Sequence, residues 1–323
     1  MIAVEEQIVM LENKKVTPLG LVHLSVVYVV WGSTYLAIRV AVREGAGFPP
    51  FLLGTLRLVV AGILLLLWGK LQGGTWKLSR TEFITLFGSG LLLWVGGNGL
   101  VMLAEQKIES GLTALILATT PIWVSLLEAV LDGRSPSTRL ILSLLVGFLG
   151  IAGLSIPVFQ AGVRADITSI LAVVLASILW SAGMVVQSRQ PTGHNLMISS
   201  GFQQLIAGAA FGLLTILFQE PLPAPDLEAW LALGYLLIFG SLLAFTSFVT
   251  VLKILPTRLV ITHSYVNPVI AVLLGWLVLG EAVTWWVLGG AVLVLLGVAG
   301  VFWEQRNLGQ QEEHTDQNRA SRV

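Results

Sequence analysis

The chain has 323 residues, of which 55% are hydrophobic and 11% charged, with a formal net charge of zero and no cysteine. So apolar a composition excludes an ordinary soluble domain, and the missing thiols exclude disulfides, thiolate metal sites and cysteine nucleophiles together. Lipid is the expected solvent, and the apolar residues fall into ten stretches long enough to cross it.

In chain order the expected spans are Leu19 to Val42, Phe51 to Gly69, Phe83 to Leu103, Gly111 to Leu131, Leu140 to Ile156, Ile167 to Gln187, Asn195 to Phe218, Ala229 to Leu252, Leu259 to Leu279 and Thr284 to Trp303. A hydrocarbon core of about 30 Å takes roughly 20 helical residues, so the spans leave little chain for a soluble domain. The expected fold class is an all-α polytopic membrane protein with ten transmembrane helices. A tail over 1–18 carries Glu5, Glu6, Glu12, Lys14 and Lys15 and lacks the apolar core of a cleavable signal. The tail from Glu304 to Val323 is too polar to pack.

Placing the N-terminus in the cytoplasm puts thirteen Lys and Arg on that side and leaves Arg39, Arg43, Lys107 and Arg164 on the other. The positive-inside rule then orients the chain with both termini cytoplasmic and the 157–166 linker periplasmic. Trp68, Trp76, Trp230, Trp285, Trp286 and Trp303 fall near span ends, where indoles anchor at the headgroups.

The chain also repeats itself. A shift of 147 residues carries Pro121 to Pro268, Gly133 to Gly280, Gly150 to Gly297 and Gly153 to Gly300; farther upstream Trp31 answers Trp180 and Arg57 answers Gln203. Each half, 19–156 and 167–303, holds five spans. An odd number turns the second copy upside down, giving two inverted five-helix repeats, the architecture that lets one fold face either side of the membrane in turn.

Several segments resemble the EamA domains of the drug/metabolite transporter superfamily. They are Trp31-Gly-Ser-Thr-Tyr35, Pro49-Pro-Phe51, Leu56-Arg57-Leu58 and Thr120-Pro121 in the first half, with Asn267-Pro268 and Leu279-Gly280-Glu281 in the second. Asp132-Gly133-Arg134, where that family often has Gly-Glu, and Trp180-Ser-Ala-Gly183 depart from the pattern. The resemblance implies efflux or exchange of metabolites, amino acids or toxic compounds across the bacterial inner membrane, without naming a substrate.

Rise per residue places Trp31, Pro121, Trp180 and Pro268 about 15 to 20 Å deep, in one layer. Each proline cannot donate to the carbonyl four residues back, so kinks with free acceptors at Leu117 and Ser264 are expected, lining a wet cavity or forming plain structural bends. Ser33, Thr34, Tyr35, Ser181 and Tyr265, with Asn267 beside Pro268, offer hydrogen bonds in the same layer, to a substrate or between helices. Arg57 is the most expensive residue in the chain. Asn98 is its expected hydrogen-bond partner and Glu105 or Glu109 its expected counter-charge, with an outer gate or anion recruitment as the job and snorkelling as the bland alternative. Gln203 is its neutral counterpart. Glu128, four residues before Asp132, and His263, one turn inside the ninth span, are the candidate proton-coupling groups, each with an ordinary structural alternative. Gly147, Gly150 and Gly153 are expected to face Gly289, Gly297 and Gly300 in close helix contact.

No phosphate-cradling loop, metal-ligand spacing or basic stripe is present in the sequence, so nucleotide hydrolysis, a metal, a cofactor and nucleic acid are not expected. The reading is a non-enzymatic secondary transporter exporting small organic solutes by alternating access, as a monomer or homodimer, driven by protons or a counter-substrate. Uptake or uncoupled facilitation is the alternative within transport. A membrane scaffold or sensor, and an intramembrane enzyme, are the rivals outside it.

Overall fold

The computed structural model describes residues 17–133, 135, 137–160, 164–189, 195–255, 260, 262–300 and 303. Residues 1–16 and 304–323 of the expected tails, part of the 157–166 linker and the Tyr265 side chain lie outside the described residues.

All secondary structure among them is helical. Seven helices are long and apolar enough to cross a membrane: α1 (Pro18–Ala41), α2 (Pro50–Leu71), α3 (Arg80–Ala104), α4 (Ser110–Leu131), α6 (Ile167–Gln187), α7 (Leu196–Leu217) and α8 (Leu227–Phe248). Three shorter apolar ones, α5 (Thr138–Leu154), α9 (Val266–Leu279) and α10 (Trp285–Gly300), complete the described bundle. Large apolar side chains cover its flanks, among them Leu21, Ile63, Leu142, Leu231 and Val292, all exposed. Such a surface suits lipid tails. The six expected anchor tryptophans are all exposed as well, Trp285 to 86%.

Local sequence starts most helices. Thr17 caps α1 ahead of Pro18, and Ser79 with Glu82 forms a reciprocal box at α3. Asn195 caps α7 and Asp226 caps α8. Neither α2 nor α4 has a side-chain cap from its own N-cap residue, Pro49 or Glu109. Both borrow one from the second half. Glu220 accepts the backbone N–H of Phe51 (2.9 Å) and Leu52 (2.8 Å). Glu281 accepts those of Ser110 (2.9 Å) and Gly111 (3.2 Å), together with the Ser110 hydroxyl. A carboxylate there also meets the positive end of the helix dipole.

Pairs of related helices pack against each other. Along α2 and α7, a Cβ on Gly62 would lie 2.9 Å from the Leu205 nitrogen, and one on Gly208 would lie 2.9 Å from the Val59 nitrogen. The helices cross where neither can carry a side chain. α5 and α10 meet likewise within the one chain, Gly150 against Val294 and Gly297 against Gly147. Here the expectation needs correction, because Gly289 faces open space and Gly290 makes the contact. Gly133 and Gly280, one repeat apart, end α4 and α9 in the left-handed region at φ 64° and 67°, which a side chain would strain.

Two irregularities shape the interior. α3 and α8 each contain a nine-residue π-helical segment, Leu91–Gly99 and Leu236–Ala244, one repeat apart. α4 is broken into Ser110–Leu117 and Thr120–Leu131.

Candidate transport cavity

Between the halves lies a cavity of about 170 Å³, its walls taken from α1, α2, α3, α4, α6, α8 and α9. The π-helical segments position its most polar member. Arg57 on α2, 4% exposed, donates through Nε to the Ser241 hydroxyl (2.8 Å) and through Nη1 to the Asn98 side-chain oxygen (3.1 Å). Asn98 sits in the α3 segment and Ser241 in the α8 segment, so the widened turns of both repeats hold one guanidinium. Arg57 also stands over the Trp94 ring, 5.6 Å from its centroid. Among the described residues no carboxylate lies within 4.0 Å of it. The expected pairing with Asn98 is present, but neither Glu105 nor Glu109 provides the expected counter-charge.

Aromatic rings continue the wall from Trp94. Trp31 meets Trp180 edge-on at 6.5 Å, Phe248 at 4.6 Å and the His263 ring at 5.6 Å; Trp180 meets Trp94 at 6.3 Å. Thus Trp31 and Trp180, equivalent in the repeat, touch, and Pro121 and Pro268 line the same space. Thr34, Tyr35, Asn98, His263 and Asn267 line it too. The Asn267 amide, with its nitrogen towards α1, donates to the carbonyls of His263 (3.1 Å) and Tyr28 (3.3 Å).

Other expected members stand apart from the lining. Ser33 turns to the Tyr235 hydroxyl at 2.6 Å, and Ser181 donates to the carbonyls of Ser177 (2.7 Å) and Thr120 (3.2 Å). Gln203 is fully buried and donates to Ser89 at 2.7 Å. Each of the three reaches a neighbouring helix, although Ser33 and Ser181 also donate to carbonyls of their own helix and the buried Gln203 side-chain oxygen has no hydrogen-bond partner. Glu128 is half-buried on α4 outside the lining, on the helix whose end, Asp132, pairs with Arg189 at 2.6 Å. The expected free acceptor at the first proline is also corrected: the Leu117 carbonyl takes the Thr120 hydroxyl at 2.7 Å.

The sequence reading missed Trp94, Met184 and Phe248 in the walls. It also missed the lacework at the end of the bundle that carries the borrowed caps, called the acidic end below. There Arg43 pairs with Asp226 (2.5 Å) and Glu228 (3.1 Å), and Arg39 donates to the Glu105 carbonyl. The Glu105 carboxylate is fully buried, and neither oxygen has a hydrogen-bond partner. Burial, then the nearby Glu281 carboxylate, pushes it well above the usual carboxylate range against the pull of Arg39.

The EamA-like transporter family matches residues 18–156 and 167–303. YedA of Escherichia coli (strain K12), named as an inner membrane transporter, is 32% identical over 286 residues, covering 85% of this chain and 90% of its own. YoaV of Bacillus subtilis (strain 168), named as a transporter, is 24% identical, with 87% of this chain and 94% of its own covered. Protein PecM of Dickeya dadantii (strain 3937) is 28% identical, with 84% and 86% covered. A solved crystal structure, 23% identical, covers 90% of this chain and 98% of its own with a TM-score of 0.62, a likeness of fold. With two matched repeats and a helical bundle clad in apolar side chains, the chain belongs to the EamA-like transporter family and is a multi-pass membrane transporter of small solutes.

Proposed function

We propose that the chain exports small organic solutes across the bacterial inner membrane by alternating access, with two inverted five-span repeats rocking about the central cavity and both termini in the cytoplasm. The observation that carries this reading is that equivalent residues of the two halves, Trp31 with Trp180 and Pro121 with Pro268, share one cavity. Inverted repeats reach the opposite-facing state by exchanging conformations, which leaves such a site in place while access to it switches. The acidic end is tied between the halves by Glu220, Glu281 and Arg43, so the conformation described is the one closed on that side. The positive-inside rule makes that side periplasmic. The described walls all come from one chain, as they would in a monomer or in each subunit of a homodimer.

Because the chain has no cysteine, single cysteines report without background. Val124→Cys, on the cavity wall, is expected to react with a membrane-impermeant thiol reagent from the cytoplasm in one state and from the periplasm in another. Sealing from both sides under every condition would exclude a transport path; simultaneous access from both would make the chain a channel. His263 in the wall and Glu128 on α4 are the proposed proton sites. Flux in proteoliposomes independent of a pH gradient between about pH 5 and pH 8 removes both from the mechanism.

A further inference from the structure

The geometry points to a substrate class: we propose that the cavity takes a small aromatic carboxylate, a benzoate-sized organic anion without a cationic group. The inference rests on the transport reading for the cavity's role, but its argument concerns the walls alone.

Arg57 supplies the fixed charge of the lining, and no Asp or Glu is among the described lining residues. Its two partners, Asn98 and Ser241, are neutral. They orient the guanidinium without cancelling its charge, and the fork has N–H groups beyond the two they use. An uncompensated cation buried this deeply is costly, and a carboxylate matches a guanidinium in both charge and planar geometry. A bound anion supplies what the protein withholds.

The other walls choose the body of the ligand. Trp31, Trp94, Trp180 and Phe248 present ring edges and faces, and the volume of about 170 Å³ compares with roughly 150 Å³ in a cavity that holds benzene. One ring with a carboxylate fits within it. Aromatic walls also attract cations, which is the case for a cationic drug. Here Arg57 already occupies the Trp94 face, and a second cation would meet it with no carboxylate to offset either. An aromatic amino acid has the right ring and carboxylate, but its ammonium would find only neutral oxygens.

The test is binding to the full chain in lipid nanodiscs, measured calorimetrically with benzoate, benzylamine and phenylalanine. Benzoate is expected to bind at least about tenfold more tightly than either of the others, roughly the cost of one unmatched charge. Arg57→Gln is expected to weaken benzoate by about tenfold or more and Arg57→Lys by less, since Lys keeps the charge without the fork. Benzylamine or phenylalanine binding as tightly as benzoate, no benzoate binding, or an Arg57→Gln variant with unchanged affinity would each overturn the proposal. If Arg57→Gln does not fold, the three-ligand series on the native chain decides alone. Benzoate counterflow in proteoliposomes separates the two readings. Binding without flux sinks the transport role of the cavity and spares the ligand class, whereas flux of other solutes without benzoate binding does the reverse.

Discussion

The two segments of α4 are built from similar apolar residues and meet opposite surroundings. Ser110–Leu117 buries every residue from Ser110 to Ile116, whereas Thr120–Leu131 buries Pro121 and Ile122 alone. The first is held at its N-terminus by Glu281 from the other repeat; the second runs past the cavity through Thr120, Pro121 and Val124. Helix propensity does not separate them. What separates them is which neighbours satisfy and cover them: protein packs round the first, whereas the second ends on side chains such as Val130 and Leu131 that are exposed to lipid. At the break between the segments the Ile116 and Leu117 carbonyls are taken by the Thr119 and Thr120 hydroxyls, so the bend leaves neither acceptor orphaned, while Glu281 locks the N-terminus of the covered segment.

The largest expected effect comes from removing that lock. Glu281→Ala strips the acceptor from two backbone N–H groups and from the fully buried Ser110 hydroxyl. A loss of about 2 to 3 kcal/mol is expected, read as a lower melting temperature in detergent, together with faster labelling of a cysteine at Leu115. Unchanged melting and labelling would mean that the covered segment is held by packing and that the comparison has the wrong cause. Glu220→Ala, which uncaps α2, is expected to cost about 1 kcal/mol, because Phe51 and Leu52, whose N–H groups it holds, are only partly buried whereas Ser110 and Gly111 are buried.

How much of this is legible in the sequence differs by kind. Hydropathy reads out the membrane helices, and the repeat shift brings Pro121 with Pro268 and Trp31 with Trp180 into one layer, since both signals are local or periodic. One of the two partners of Arg57, Asn98, is legible too, because a charge in lipid restricts the candidates to polar residues at its own depth, whereas Ser241 from the other repeat is not. The π-helical segments leave no such mark. Leu91–Gly99 is apolar and glycine-rich, and nothing in that composition distinguishes a widened turn from an ordinary one. Trp94, Met184 and Phe248 are hidden for a related reason: in a span apolar on all sides, periodicity cannot separate cavity wall, core and lipid face. The borrowed caps are hidden because Glu220 and Glu281 act across more than 160 residues of chain.

A smaller effect of opposite sign is expected at Glu105, which packs at the acidic end without a partner for its carboxylate. The folded chain holds this proton more tightly than the unfolded chain does, because burial and Glu281 raise it. Stability from this group is therefore greatest below the ordinary carboxylate range near pH 4 and falls as pH rises, because the unfolded chain releases its proton first. Glu105→Gln removes that slope. The variant is expected to melt close to the native protein near about pH 5 and above it at about pH 8, with the gap widening in between. A gap of constant size would show that the carboxyl is not held neutral and that the acidic end contains a free charge.

The smallest effect is expected where the acidic end meets water. Arg43 bridges the repeats through Asp226 and Glu228, but the side chains are 45%, 39% and 67% exposed. Solvent screens such pairs and salt weakens them further, so Arg43→Ala is expected to leave melting almost unchanged, with whatever difference exists shrinking at high ionic strength. Asp226 remains anchored without Arg43, since the backbone N–H of Ala229 is the main cause of its lowered pKa. If Arg43→Ala instead matched Glu281→Ala in size, closure of the acidic end would rest on surface charge rather than on buried caps. The end would then open in high salt, which cysteine labelling at Leu115 across a salt series would detect.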